Sequence, residues 1–168
     1  PVMVGPSSSH TAGAARIGAM ARTLLGEEVA DAKLHLYGSF AETGKGHGTD
    51  RALVAGLLGM KPDDLRIPNA FEEAKKAGLR YTIDEIDLRD AHPNTAVLEL
   101  TGKGGRALTV QASSLGGGRI DALMVIETDQ HIKPKQVEFI SELPGILGVT
   151  YYDKEDDEDG SGFDERNL

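Results

Sequence analysis

The stretch KLHLYGSFAETGKGHGTDRALVAGLLG, residues 33–59, holds two hydrophobic periods separated by a break, and that change of period decides the fold. Lys33 to Phe40 alternates, with Leu34 and Leu36 on one face and His35 and Tyr37 on the other, as a half-buried strand does, so His35 is expected to face solvent. No period survives from Ala41 to Asp50. Leu53, Val54, Leu57 and Leu58 then recur at helical spacing until Gly59 stops them. Strand, glycine-rich loop and helix therefore follow one another in that order.

The same two periods extend in both directions. Upstream, Ala14, Ile17, Ala21, Leu24 and Leu25 mark a helix over 11–25, closed by Gly26. Downstream, Asn69 with Glu72 resembles a capping box that opens a short helix running through Lys76 and stopping at Gly78. Tyr81 to Ile86 reads as extended. Thr95–Thr101 and Arg106–Ala112 alternate around Gly102-Lys103-Gly104-Gly105, which makes them a hairpin. Ser113 to Gly118 is expected to end that pair flexibly, its glycine triplet either linking domains, the favoured reading, or letting backbone approach a ligand. Beyond it come a strand over 122–126, a helix over 133–143 and a strand over 148–152, a β-α-β piece too small to enclose a core. The expected architecture is an α+β (α/β-like) domain over 1–118, a mixed sheet with helices packed on one side, followed by a small unit with an acidic tail over 119–168.

Composition excludes several functions. The chain has 168 residues and a formal charge of −9, loaded toward Asp153–Glu165, and its basic residues are interspersed with acids, so nucleic acid is not an expected partner. No apolar run is long enough to span a bilayer and no targeting segment is evident, which makes a cytoplasmic protein the expectation. With no cysteine, these residues cannot ligate an iron–sulfur cluster through thiolates; such a cofactor would have to come from another chain.

Chemistry concentrates in three places. Gly5-Pro6-Ser7-Ser8-Ser9-His10-Thr11-Ala12-Gly13 sets four hydroxyls and an imidazole where a helix begins. Ser9 or Thr11 can cap that helix, and the outward N–H groups of its first turn, with the positive end of the macrodipole, suit a carboxylate or phosphate. Capping alone needs one hydroxyl, so the run reads either as a plain helix start or as an anion cradle with a proton-transfer group beside it. Gly46-His47-Gly48-Thr49-Asp50 puts a second imidazole between glycines, with an unperturbed pKa of about 6.5 suited to general acid or base work. Thr49 or Asp50 is expected to cap the helix that follows. In His92-Pro93-Asn94-Thr95, Pro93 imposes an extended residue before it; the segment is either an ordinary turn or a place where the Asn94 amide holds a substrate carboxylate or amine. The histidines lack metal-ligand spacing, so no metal bound by this chain alone is expected.

Taken in order, GPSSSHTAGAARIG (5–18), YGSFAETGKGHGTD (37–50), HPNTA (92–96) and SLGGG (114–118) closely resemble the beta chain of bacterial iron–sulfur-dependent L-serine dehydratases, over nearly the whole sequence. The domain also resembles the allosteric substrate-binding domain of some D-3-phosphoglycerate dehydrogenases. The first resemblance implies a lyase converting L-serine to pyruvate and ammonia, with a [4Fe-4S] cluster held by a separate alpha subunit. It assigns Ser7, Ser8, Ser9 and Thr11 to the substrate carboxylate, His10 and His47 to proton transfer, and Thr49 and Asn94 to orienting substrate or the histidines. Which histidine is the base stays open. The second resemblance implies the alternative, a regulatory serine-binding module without catalysis; a second imidazole in a glycine loop favours the enzyme, and a plain interaction domain leaves the hydroxyls unexplained. Residues 122–152 resemble the second half of an ACT domain, through which a homodimer is expected. The missing first half would belong between Ile120 and Asp121, and the family's beta chains begin upstream of Pro1.

Overall fold

The computed structural model describes residues 8–44, 48–116, 119–123 and 134–142. Helix α1 (Ser8–Leu25) leads into β1 (Val29–Tyr37), then the short α2 (Ser39–Gly44), α3 (Thr49–Leu57), a 3-10 turn (Ile67–Asn69) and α4 (Ala70–Ala77). Strands β2 (Arg80–Glu85), β3 (Thr95–Gly102), β4 (Ala107–Gly116) and β5 (Arg119–Leu123) follow, then α5 (Pro134–Ser141). The strands form one mixed sheet in the order β2-β1-β3-β4-β5. β2 runs parallel to β1, which the long helical connection between them makes possible, and the other pairs are antiparallel. This is the expected α+β fold.

Alternation along the strands sets the layers. Leu34 and Leu36 of β1, Ala96, Leu98 and Leu100 of β3, and Leu108, Val110 and Ala112 of β4 are all buried in one core with Ala14, Ile17 and Ala21 of α1. Their neighbours Lys33, Glu99 and Thr109 are exposed on the other face, which the helices leave open. α3 is buried from Ala52 to Leu57, since α1, α2 and α4 all pack against it. Its contact with α1 is made through glycines. A Cβ on Gly18 would come within 2.3 Å of the Leu53 carbonyl oxygen, and one on Gly56 within 2.2 Å of that of Ala15. The two backbones therefore touch where their side chains are missing.

Several elements differ from the sequence reading. α1 begins no later than Ser8, so Ser9 and Thr11 lie inside the helix and neither can be its cap. Gly48, at φ 82°, precedes α3 without a side-chain cap, and Thr49 and Asp50 are already helical. Asn69 likewise makes no side-chain cap to α4. Ser113 to Gly116 stay in β4 as paired strand rather than ending it flexibly. The β3–β4 turn is held from outside, since Glu27 accepts the N–H groups of Gly104 at 3.1 Å and Arg106 at 2.9 Å. The chain divides into compact units at 1–128 and 129–168, and β5 joins the sheet of the first. The strand expected at 148–152 lies outside the described residues.

His35 faces the open side of the sheet, as expected, but is partly shielded there by two carboxylates. On the open face it bridges three strands, its Nδ1 bonded to Asp84 of β2 and its Nε2 to Glu99 of β3 at 2.6 Å. Burial alone would lower its pKa, but the hydrogen bonds to Glu99 and Asp84, reinforced by both charges, outweigh it and raise the imidazole above its ordinary value. A group with a raised folded pKa stabilises fully below the unfolded value of about 6.5, and that contribution is lost as pH rises through the folded pKa. Wild type should therefore exceed His35→Gln by about 1 kcal/mol at pH 5.5 and lose most of that margin by pH 8.5, read from urea unfolding. A margin independent of pH would rule out the charged bridge.

Candidate functional site

The register of the strands gathers distant segments at one end of the sheet. Tyr37, the last residue of β1, pairs with Thr95, the first of β3, and Thr95 pairs with Ser113 near the end of β4. The turn after β1, the segment before β3 and the end of β4 therefore share that end. α1 enters there too, because Gly13 lies so close to Ser114 that a Cβ would fall 2.1 Å from its hydroxyl oxygen. Residues 10–13, 38–44, 92–95 and 113–116 are thus brought together, a part of each of the four sequence motifs.

His10, half-buried in the first turns of α1, sets its ring 6.0 Å from that of Phe40 and tilted by 57°, with Nε2 buried. Phe40 in turn donates its N–H to the Pro93 carbonyl at 3.4 Å. Gly38, at φ 56°, permits that approach, because a Cβ there would lie 2.7 Å from the same oxygen. The first turn of α1 carries no acidic residue, so the positive end of the helix is not neutralised locally.

Asn94 is fixed by its backbone on both sides. Its N–H donates to His92 Nδ1 at 3.1 Å, and its carbonyl accepts the Ser114 N–H at 2.9 Å. Thr95 Oγ1 donates to the His92 carbonyl at 2.6 Å, and since a hydroxyl has one proton, Ser113 Oγ must be the donor across the 2.6 Å Thr95–Ser113 contact. The Asn94 side-chain oxygen is buried and, among the described residues, accepts no hydrogen bond.

The end of α2 and the start of α3 are tied to each other. Thr43 Oγ1 donates to the Ser39 carbonyl at 2.5 Å and lies 3.2 Å from Thr49 Oγ1, and Thr49 is fully buried. Asp50 sits at the start of α3, where burial pushes its carboxyl up, partly offset by the Arg51 N–H it accepts at 2.7 Å. His47 and Ser7 lie outside the described residues. Ser8 and Ser9 are placed by their helical backbone and Thr11 is half-buried beside His10. His10 and Asn94 are thus joined through Phe40 and Ser114, and Thr49 is tied through Thr43 to α2, the helix that also carries Phe40. Sequence reasoning missed Phe40 and Ser114 as part of this end. The alternation Leu108, Val110, Ala112 reaches Ser114 in phase, a signal that it points into the core beside α1.

Among the described residues no group of three or more His, Cys, Asp or Glu could hold a metal ion, and no helix is long and apolar enough to cross a membrane. A concavity of about 360 Å³ opens beside this end of the sheet, between His92, Ser113 and Asp121.

A family model described as serine dehydratase beta chain matches residues 1–84. The L-serine dehydratase beta chain of Peptoniphilus asaccharolyticus is 42% identical over 153 residues, covering 90% of this chain and 69% of the relative. A probable L-serine dehydratase beta chain of Bacillus subtilis (strain 168) is 48% identical over 121 residues, covering 72% of this chain and 54% of its own length. An L-serine dehydratase of Streptomyces coelicolor is 38% identical over 103 residues, 56% of this chain and 23% of that protein.

Proposed function

The chain belongs to the serine dehydratase beta chain family, and from that premise we propose that it is the beta subunit of an iron–sulfur L-serine dehydratase, forming pyruvate and ammonia from L-serine together with a cluster-bearing alpha subunit. The observation that carries the reading is the meeting, at one end of the sheet, of an unneutralised helix start bearing His10 with the Asn94 and Ser114 segments. The 168 residues contain no cysteine, so the thiolate ligands of a [4Fe-4S] cluster belong to the partner. When bound, that cluster supplies a Lewis acid for the departure of the substrate hydroxyl.

This chain's residues do the rest. The helix start, with Ser7, Ser8, Ser9 and Thr11, takes the carboxylate and by withdrawing charge makes the α-proton easier to remove. His10 and His47 are the proton-transfer pair. One takes the α-proton, the hydroxyl leaves as water, and the resulting aminoacrylate tautomerises and is hydrolysed to pyruvate and ammonia. Thr49 keeps the His47 loop in place through Thr43, and Asn94 orients the substrate. The ACT-like region that follows β5 mediates self-association into a homodimer, and the enzyme works in the cytoplasm.

Co-expression with the alpha chain and anaerobic assay should yield pyruvate from L-serine, whereas this chain alone should be colourless and inactive. Serine binding with no pyruvate, despite an intact cluster, would establish the regulatory module instead.

A further inference from the structure

Asn94 is held by its backbone and left open at its side-chain oxygen. Its N–H and C=O are spent on His92 Nδ1 and the Ser114 N–H, and the residues before and after it are tied by the Phe40 N–H and the Thr95–Ser113 hydroxyl pair. Among the described residues its Oδ1 is buried without a partner, although a buried acceptor left unpaired is destabilising. A side-chain carbonyl oxygen can only accept, so the group that completes it must be a donor.

Resting on the reading of this end as the serine site, we infer that Asn94 Oδ1 receives the α-ammonium of the substrate, and that this contact selects amino acids over their amine-free analogues. L-Serine offers three polar groups. Its carboxylate would be repelled by the carbonyl oxygen. Its hydroxyl must leave as water, and an acceptor bonded to its proton would hold negative charge on the oxygen and oppose departure. The ammonium is a charged donor and suffers neither objection, and hydrogen bonds to charged groups are the stronger class.

The test compares L-serine with 3-hydroxypropionate, which lacks only the amine, on the holoenzyme containing the alpha chain and cluster. Wild type should bind 3-hydroxypropionate, measured as a competitive inhibitor, at least tenfold more weakly than serine. Asn94→Ala should raise the KM for serine roughly 10- to 100-fold and leave the Ki of 3-hydroxypropionate within about twofold. The bonds that tie this segment to its neighbours use backbone atoms of Asn94, so the alanine variant keeps them. Asn94→Asp, which still presents acceptors, should keep the KM for serine within a few-fold of wild type. If both constants rise together, or neither moves, the inference is overturned while the catalytic reading stands. A wild-type holoenzyme that makes no pyruvate overturns the catalytic reading first.

Discussion

His10→Ala and His47→Ala, each assayed with the alpha chain and an intact cluster, should lose roughly 10²- to 10⁴-fold in kcat, the range that general acid–base groups contribute. The α-proton of serine is weakly acidic, so the reaction needs a base within hydrogen-bond reach of that carbon and a route by which the proton later returns. His10 stands at the helix start where the substrate carboxylate is proposed to bind, with its ring against Phe40 and its Nε2 shielded from bulk water. His47 falls in sequence between Thr43 and Thr49, whose hydroxyls are in contact. The two losses also separate the roles. The variant lacking the base should stop exchange of the α-proton with solvent deuterium, and the other should slow turnover while exchange continues. Near-normal turnover in either variant would remove that histidine from the mechanism.

Gly56→Val should be the most damaging single change to folding, at about 3 kcal/mol or more, with loss of soluble protein at 37 °C. A Cβ at that position would meet the Ala15 carbonyl oxygen at 2.2 Å, the Ala19 nitrogen at 2.7 Å and the Gly18 Cα at 2.9 Å. All three are backbone atoms, so no side chain can turn aside to make room. Relief would require α1 and α3 to separate, and α1 also carries His10 and rests on Ser114 through Gly13. Gly78→Ala is the control. That glycine ends α4 at φ 73°, and a Cβ added there would have nothing within 4 Å, so only the left-handed backbone penalty applies, about 1 kcal/mol. Urea midpoints for the two variants should therefore differ widely. Equal costs would mean that the helices are not in backbone contact.

Local grammar is legible without coordinates. The glycine stops at Gly26, Gly59 and Gly78 stand where the helical periods end, and all three have positive φ, because a left-handed residue ending a helix is a local steric requirement. The hairpin over β3 and β4 and the inward phase of Leu34 and Leu36 follow equally from neighbours in sequence. Caps are less legible. Thr49, Asp50 and Asn69 are favoured cap residues, yet Thr49 is buried against Thr43, Asp50 bonds the adjacent Arg51 N–H, and Asn69 makes no cap bond. At Thr49 and Asp50 nearby partners, the Thr43 hydroxyl and the next N–H, take the place of a cap worth about 1 kcal/mol. Ser113 and Ser114 look like linker by composition but gain strand pairing with β5 and hydroxyl or helix contacts that no local window contains.

Residue types and their short-range spacing determined the class of the fold, the motifs and the kind of chemistry they suit, because periodicity, glycine conformation and side-chain functional groups are properties of a few consecutive residues. Tertiary structure alone decided which motifs meet. The parallel placement of β2 beside β1, the glycine contact of α1 with α3, the bridge from His35 to Asp84 and Glu99, and the tethering of Asn94 to Ser114 all join residues 20 or more positions apart. Such contacts form only when the whole core closes and offsets the entropy of bringing distant segments together, so no stretch of the chain encodes them by itself.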